Sequence, residues 1–483
     1  VELVYEGYRI LPGKPGLQGL PATYVENEEE ANTLEITLSD TLKHMKVTLM
    51  YTVYKELDVI TRSVKIRNES AERIRLEKAV SASVDFETSD YELVDLPGAW
   101  GRERHIEKTK LRSGIQELQS RRGASSHQMN PFFALAEPGA GEDRGKVYGF
   151  ALVYSGNFTA GAEVDQIFQT RAWIGLNGYD FSWLLESGET FQTPEAVMVY
   201  SSEGFGKMSR TFHQLFRSRL VRGRYRDEVR PILANNWEAT YFDFDEEKIL
   251  GLARTAKELG IELLVLDDGW FGKRNSDASS LGDWYDNKEK LPTGLAGLSE
   301  KIHKLGLKFG IWVEPEMVSE DSDLYRKHPD WAVRIPGQEH ALGRNQMVLD
   351  LTREEVRNYI IESMSDVFSR GKVDYVKWDM NRNLSDYYSQ GLAPRHQGEF
   401  AHRYILGLYQ VIQTLTDRFP HILFEACASG GNRFDLGMLC FMPQIWASDN
   451  TDAISRARIQ NSYSYGYPQS VIAAHVSGCP NHQ

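Results

Sequence analysis

From Pro231 onward, short apolar runs recur along the chain, and each stops abruptly in polar or aromatic residues. Eight such endings can be read: Asn235-Asn236-Trp237, Leu266-Asp267-Asp268-Gly269-Trp270, Ile311-Trp312-Val313-Glu314-Pro315-Glu316, Val348-Leu349-Asp350, Lys377-Trp378-Asp379, Phe424-Glu425-Ala426-Cys427, Trp446-Ala447-Ser448-Asp449 and Ala473-Ala474-His475. Helical periodicity lies between several of them. One helix has Asp245 as its N-cap, Ile249, Leu252, Ala256 and Leu259 as its stripe and Gly260 after its end. Another runs over 353–370, with Thr352 and Glu355 as a capping box, Val356, Tyr359, Ile360, Met364 and Val367 at 3.6-residue spacing, and Gly371 closing it. Further helices are expected near 295–305, 400–418 and 452–465. Eight strand-then-helix units predict a (β/α)8 TIM barrel over 231–483, truncated after strand eight because Gln483 follows almost at once. No GxGxxG turn follows the first run, which argues against an open dinucleotide-binding sheet.

The first 220 residues have a different grammar. Leu34, Ile36 and Leu38 alternate with Glu35 and Thr37, and Met45, Val47, Leu49, Tyr51 and Val53 continue the period of two. Val59-Ile60, Val64-Lys65-Ile66, 148–154 and 196–200 extend it. The expectation is multidomain β plus α/β: an N-terminal antiparallel β-sandwich over 1–220, then the barrel, joined by a helix around Met208 to Leu220. Two segments are odd for a scaffold, Pro97 to Arg104 and Arg121 to His127. Either they are polar surface loops, or one brings Trp100 or an arginine to a ligand site or subunit contact.

Composition narrows the partners. A formal net charge of −13 is unsuited to nucleic acid or an anionic membrane, both of which require basic surface. The cysteines, Cys427, Cys440 and Cys479, have neither disulfide-framework nor zinc spacing, so a reducing, cytoplasmic setting is expected. No apolar run is long enough for a membrane span and no signal peptide is visible, although the chain lacks an initiator methionine.

In a barrel, Asp267, Asp268, Glu314, Glu316, Asp379, Glu425 and Asp449 share one rim with Trp237, Trp270, Trp312, Trp378 and Trp446. Carboxylates accept from sugar hydroxyls, indoles cover the apolar face of a pyranose, and acetal cleavage needs two carboxyl groups in different protonation states. Several residues keep a second reading. A tryptophan at a strand end is also a core residue, Asp267-Asp268 fits a solvated turn, Lys377 fits a salt bridge to Asp379, and Glu314 beside Pro315 fits a strand cap. Cys427 reads as a small packed side chain rather than a nucleophile. A metal-dependent barrel enzyme of the enolase kind also arrays carboxylates at strand ends, but it loses activity in chelator. A non-catalytic sugar-binding protein keeps the tryptophans and has no use for the charged pair Asp379 and Asp449.

Four of these motifs, Asp267-Asp268-Gly269-Trp270, Lys377-Trp378-Asp379-Met380-Asn381-Arg382, Cys427-Ala428-Ser429-Gly430-Gly431 and Trp446-Ala447-Ser448-Asp449-Asn450-Thr451-Asp452, resemble in order the barrel of glycoside hydrolase family 36. The resemblance implies a retaining, exo-acting α-galactosidase of the bacterial type. It implies Asp379 as nucleophile, Asp449 as acid/base, and sugar contacts from Asp267, Asp268, Trp312, Arg344, Lys377, Asn381, Cys427 and Gly430, with Trp237 closing the pocket. Asp452, the rival carboxylate, is expected to cap the next helix. The resemblance implies galactosyl oligosaccharides such as melibiose or raffinose as substrates, with no metal and no organic cofactor. An α-N-acetylgalactosaminidase or a galactosyl-transferring relative is the alternative. A homo-oligomer, often a tetramer in which Trp100 reaches a neighbour's site, is expected. The resemblance further leads to the expectation that this span omits the family's C-terminal β domain and the beginning of its sandwich.

Overall fold

The computed structural model describes residues 2–475. The period-two segments form strands Ala31–Asp40, Met45–Tyr54, Val59–Asn68, Val147–Val153 and Glu195–Ser201. They belong to a ten-stranded antiparallel sheet that packs on a four-stranded one carrying Val80–Phe86 and Phe158–Val164. Strand Phe132–Ala136 is buried throughout and lies between two partners, which explains why it reads as a continuous apolar run rather than an alternating one. Helix α1, Gly204–Arg219, leads out of this region on the buried face made by Met208, Phe212, Leu215 and Phe216.

The second part is built on a seven-stranded parallel sheet. Its strands are β1 (Leu233–Asn235), β2 (Leu263–Leu266), β3 (Lys308–Val313), β4 (Tyr375–Trp378), β5 (Leu423–Ala426), β6 (Gln444–Trp446) and β7 (Ile472–Ala473), paired in chain order. Helices α2 (Glu246–Glu258), α3 (Gly294–Lys304), α4 (Glu354–Gly371), α5 (Phe400–Arg418) and α6 (Ala453–Tyr463) connect them. Chain-order parallel pairing brings all seven carboxyl ends to one edge, where parallel-sheet enzymes hold their chemistry. One hydrophobic core runs from Leu20 in the antiparallel part to Ile472 in β7.

The expected fourth strand departs from this pattern. Gln346–Val348 pairs antiparallel with Met317–Ser319, while β3 pairs directly with β4. After Glu314-Pro315 the chain leaves the parallel sheet, and the returning segment becomes the partner of 346–348. The parallel sheet therefore has seven strands among the described residues, with β1 and β7 as its edges.

Local signals fared unequally. Asp245 accepts from the Lys248 N–H at 2.8 Å, the predicted cap of α2, but the buried face is Ile249, Leu250, Ala253 and Ala256, and Leu259 is exposed. The capping box of α4 does not form: the Thr352 hydroxyl donates to Asp350 at 2.6 Å, and Arg353 stands at the N-cap without a side-chain capping bond. That helix ends through Lys372 in the left-handed region, one residue beyond Gly371. Cys427 and Cys440 are buried and free, and Cys479 lies outside the described residues.

Candidate active site

Strand alternation sets the centre of the site. Lys377 on β4 and Asp379 just beyond it share one face, and Trp378 takes the other. Asp379 is buried and meets four N–H donors. Trp312 Nε1 at 2.9 Å and Asn381 Nδ2 at 2.7 Å reach Oδ2, while the backbone amides of Met380 at 2.9 Å and Ser429 at 3.3 Å reach Oδ1. Burial opposes ionisation, yet the positive charge of Lys377, the Trp312 bond and Arg344 hold the carboxyl below its ordinary range. Lys377 acts here through its charge. Its Nζ bonds to Asp267 Oδ2 at 3.0 Å, so Asp267, not Asp379, is its salt-bridge partner.

Asp449, half-buried, is shifted the opposite way. Burial pushes its carboxyl up, the charge of Asp379 adds to that, and two indole donors partly offset it, Trp100 Nε1 at 2.9 Å to Oδ2 and Trp446 Nε1 at 3.0 Å to Oδ1. Gly430 (φ +81°) lies so close that a Cβ there would stand 2.8 Å from the Asp449 nitrogen. The two carboxyls are thus shifted in opposite directions, Asp379 down and Asp449 up.

The adjacent strands supply the rest. Asp267 also accepts from Asn235 Nδ2 at 2.6 Å, and Asn235 Oδ1 in turn accepts from the Trp237 amide at 2.7 Å. Asp268 forms a buried two-point ion pair with Arg274, both bonds at 2.8 Å, although burial still pushes its carboxyl up. Asp267 and Asp268 are thus buried, ion-paired carboxylates rather than a solvated turn. Arg344 is the one exposed residue of the predicted set; partial desolvation beside the site lowers its pKa, but Glu314, Asp379, Asp268 and Asp449 together raise it on balance. Cys427 is buried beside Asp379 and Lys377, and burial pushes its thiol well above the usual range, so it is no thiolate nucleophile. All eleven predicted residues therefore gather at one place.

Several other residues at the strand ends do not face it. Trp270 and Trp378 are fully buried, donating to the Trp312 carbonyl at 3.0 Å and to Glu316 at 2.9 Å. Glu316 is enclosed by Trp378, Tyr404 and Arg433, and Glu425 by Gln444 and Tyr375. Asp350 binds Thr352 and Ser389. Asp452 caps α6 through the Ser455 amide at 2.8 Å. Glu314 is no strand cap: it accepts from Gln346 and Asn381 inside the site.

Both odd loops of the first part close on the site within the same chain. Besides Trp100, Glu103 accepts from Ser448 at 2.6 Å, Arg104 donates to the Gly431 carbonyl at 2.7 Å, and His127 meets the Ser429 carbonyl at 2.6 Å. Trp100 thus serves Asp449 of its own chain. Sequence reasoning left these residues as alternatives because polar loops look alike whether they face water or another layer. A tryptophan amid charges and glycines was the available signal.

No group of His, Cys, Asp and Glu suited to hold a metal is found among the described residues, and none of their helices is long and apolar enough to cross a membrane.

Residues 1–186 match the glycosyl hydrolase family 36 N-terminal domain, and residues 190–483 match the melibiase family. α-Galactosidase AgaA of Geobacillus stearothermophilus is 59% identical over 482 residues, covering 100% of this chain and 66% of its own. Its crystal structure superposes with a TM-score of 0.99 and is covered to 67%. α-Galactosidase 1 of Pediococcus pentosaceus is 51% identical over 481 residues, again covering 100% of this chain and 66% of its own. The chain thus spans about two thirds of the length of these curated relatives. With both family matches lying end to end along it, the chain belongs to glycosyl hydrolase family 36, the family of the melibiases.

Proposed function

We propose that the chain carries the catalytic centre of a retaining, exo-acting α-galactosidase that removes terminal α-linked galactose from oligosaccharides. The observation that carries this reading is a pair of carboxyls in unlike settings: Asp379, met by four N–H donors and the charge of Lys377, and Asp449, held by the Trp100 and Trp446 indoles and raised by burial. Asp379 attacks the anomeric carbon while Asp449 gives its proton to the leaving glycosidic oxygen, producing a galactosyl ester. Asp449, now the anion, takes a proton from water, the water oxygen displaces Asp379 from the anomeric carbon, and galactose leaves with its α configuration. Asp267, Asp268, Lys377, Trp312, Arg344, Asn381, Cys427 and Gly430 grip the sugar and Trp237 closes over it. The relatives support the substrate class, since substituted variants of AgaA have been crystallised with raffinose and with stachyose.

The same reading takes residues 1–220 as the sandwich and 231–483 as the barrel, and the parallel sheet as the larger arc of a (β/α)8 barrel. Strictly chain-order pairing supports this. It also includes a cytoplasmic homo-oligomer, supported by exposed Tyr5, Tyr8 and Ile10 on the edge strand Val4–Pro12. The test of the mechanism is the anomer first released from p-nitrophenyl α-galactoside, followed by NMR. Retention predicts α-galactose before mutarotation, and β-galactose as first product contradicts it.

A further inference from the structure

Glu314 lies at the end of β3, completely buried. Every hydrogen bond it makes is a donor pointing into it. Gln346 Nε2 at 2.6 Å and the Asn381 backbone N–H reach Oε1, and Asn381 Nδ2 reaches Oε2 at 3.1 Å. The same Asn381 Nδ2 donates to Asp379 at 2.7 Å, and Asn381 Oδ1 accepts from the Ser429 hydroxyl at 2.8 Å. The amide of Asn381 therefore has one workable orientation, with its NH2 shared by two carboxyl groups. The ribbon that replaces the expected fourth strand brings Gln346 to Glu314.

We infer that Glu314 is a positioning residue for the nucleophile, holding the Asn381 amide so that its N–H is aimed at Asp379. The inference rests on the functional reading above. Three donors suit a carboxylate, which only accepts, better than a carboxylic acid, which must also donate. Burial and the charge of Asp379 nevertheless push Glu314 up to about 7, with Arg344 and the Asn381 bonds opposing. Ionisation of Glu314 on raising the pH through that value completes the network, and protonation below it displaces a donor. The charged groups acting on Glu314 are Asp379 and Arg344. Asp379, held below its ordinary range, is already the anion there.

Glu314→Gln keeps the shape and fixes the neutral state at every pH. The ratio of wild-type to variant kcat/KM on p-nitrophenyl α-galactoside should be small at pH 5.5 and rise about 10- to 100-fold by pH 8.5, the scale of one charge-assisted hydrogen bond at the reacting centre. Glu314→Gln added to Asn381→Ala should cost nothing further, because the first acts through the second. Should Glu314→Gln fail to fold, Gln346→Ala keeps the carboxyl but removes one donor, and should move the wild-type inflection near neutrality to higher pH. A pH-independent ratio, additive losses, or an unmoved inflection in Gln346→Ala would each overturn the role of Glu314 while leaving galactoside turnover intact. Wild-type protein with no galactoside turnover would instead overturn the functional reading, and this inference with it.

Discussion

Trp100 and Asp449 stand 349 positions apart, yet the indole N–H of one donates to the carboxylate of the other at 2.9 Å. The antiparallel part of the chain thus helps set the proton affinity of Asp449, the proposed general acid, whose carboxyl burial has already raised. Trp100→Phe removes a donor that favours the anion, so Asp449 keeps its proton to higher pH. The alkaline limb of kcat/KM should move upward, with a loss of about tenfold at the optimum. A pH–rate profile checks this, and an unmoved alkaline limb would count against it.

Lys377 holds Asp267 directly and Asp379 through its charge. In Lys377→Met the Asp379 carboxyl rises toward its ordinary range, so the acid limb of kcat/KM should shift to higher pH. The loss at the optimum should be about 100-fold, the scale of removing one preorganised stabilising group from a reacting centre. Steady-state kinetics over pH give both quantities, and a loss confined to KM with an unchanged acid limb would contradict the charge role.

Arg274→Leu leaves Asp268 buried and unpaired, at a cost of about 3–5 kcal/mol. Burial already raises Asp268, and losing Arg274 raises it further. An acid whose folded pKa exceeds its unfolded value binds more protons in the folded state, so stability falls as pH rises. The variant should therefore lose more stability at pH 8 than at pH 5 in denaturant unfolding. An equal loss at both would point to packing alone.

Where burial alternates with chain position, structure was legible in the sequence. Strand Met45–Tyr54 could be read because its two faces differ, and Asp245 because its cap is local. Pairing between distant segments could not: Gln346–Val348 has the same apolar content whether its partner is β3 or Met317–Ser319. Thr352 carried the signature of a cap, but Asp350 accepts its hydroxyl first. Trp378 was placed on the rim although strand alternation sends it to the face opposite Lys377 and Asp379, a signal that was present. Most of the eleven candidate residues lie close together because strand ends converge in any parallel sheet, whereas Arg344 comes from the loop before the antiparallel ribbon 346–348. The braces from Glu103, Arg104 and His127 depend on how two layers dock, which neither periodicity nor spacing records.

The most direct test of Asp379 as nucleophile is azide rescue of Asp379→Ala on p-nitrophenyl α-galactoside, with p-nitrophenyl α-N-acetylgalactosaminide beside it. The wild-type protein should turn over the galactoside and not the acetamido sugar, the variant should be inactive, and azide should restore p-nitrophenol release while β-galactosyl azide accumulates. Near-wild-type turnover by folded Asp379→Ala, or rescue giving only α-galactosyl azide, would contradict the assignment.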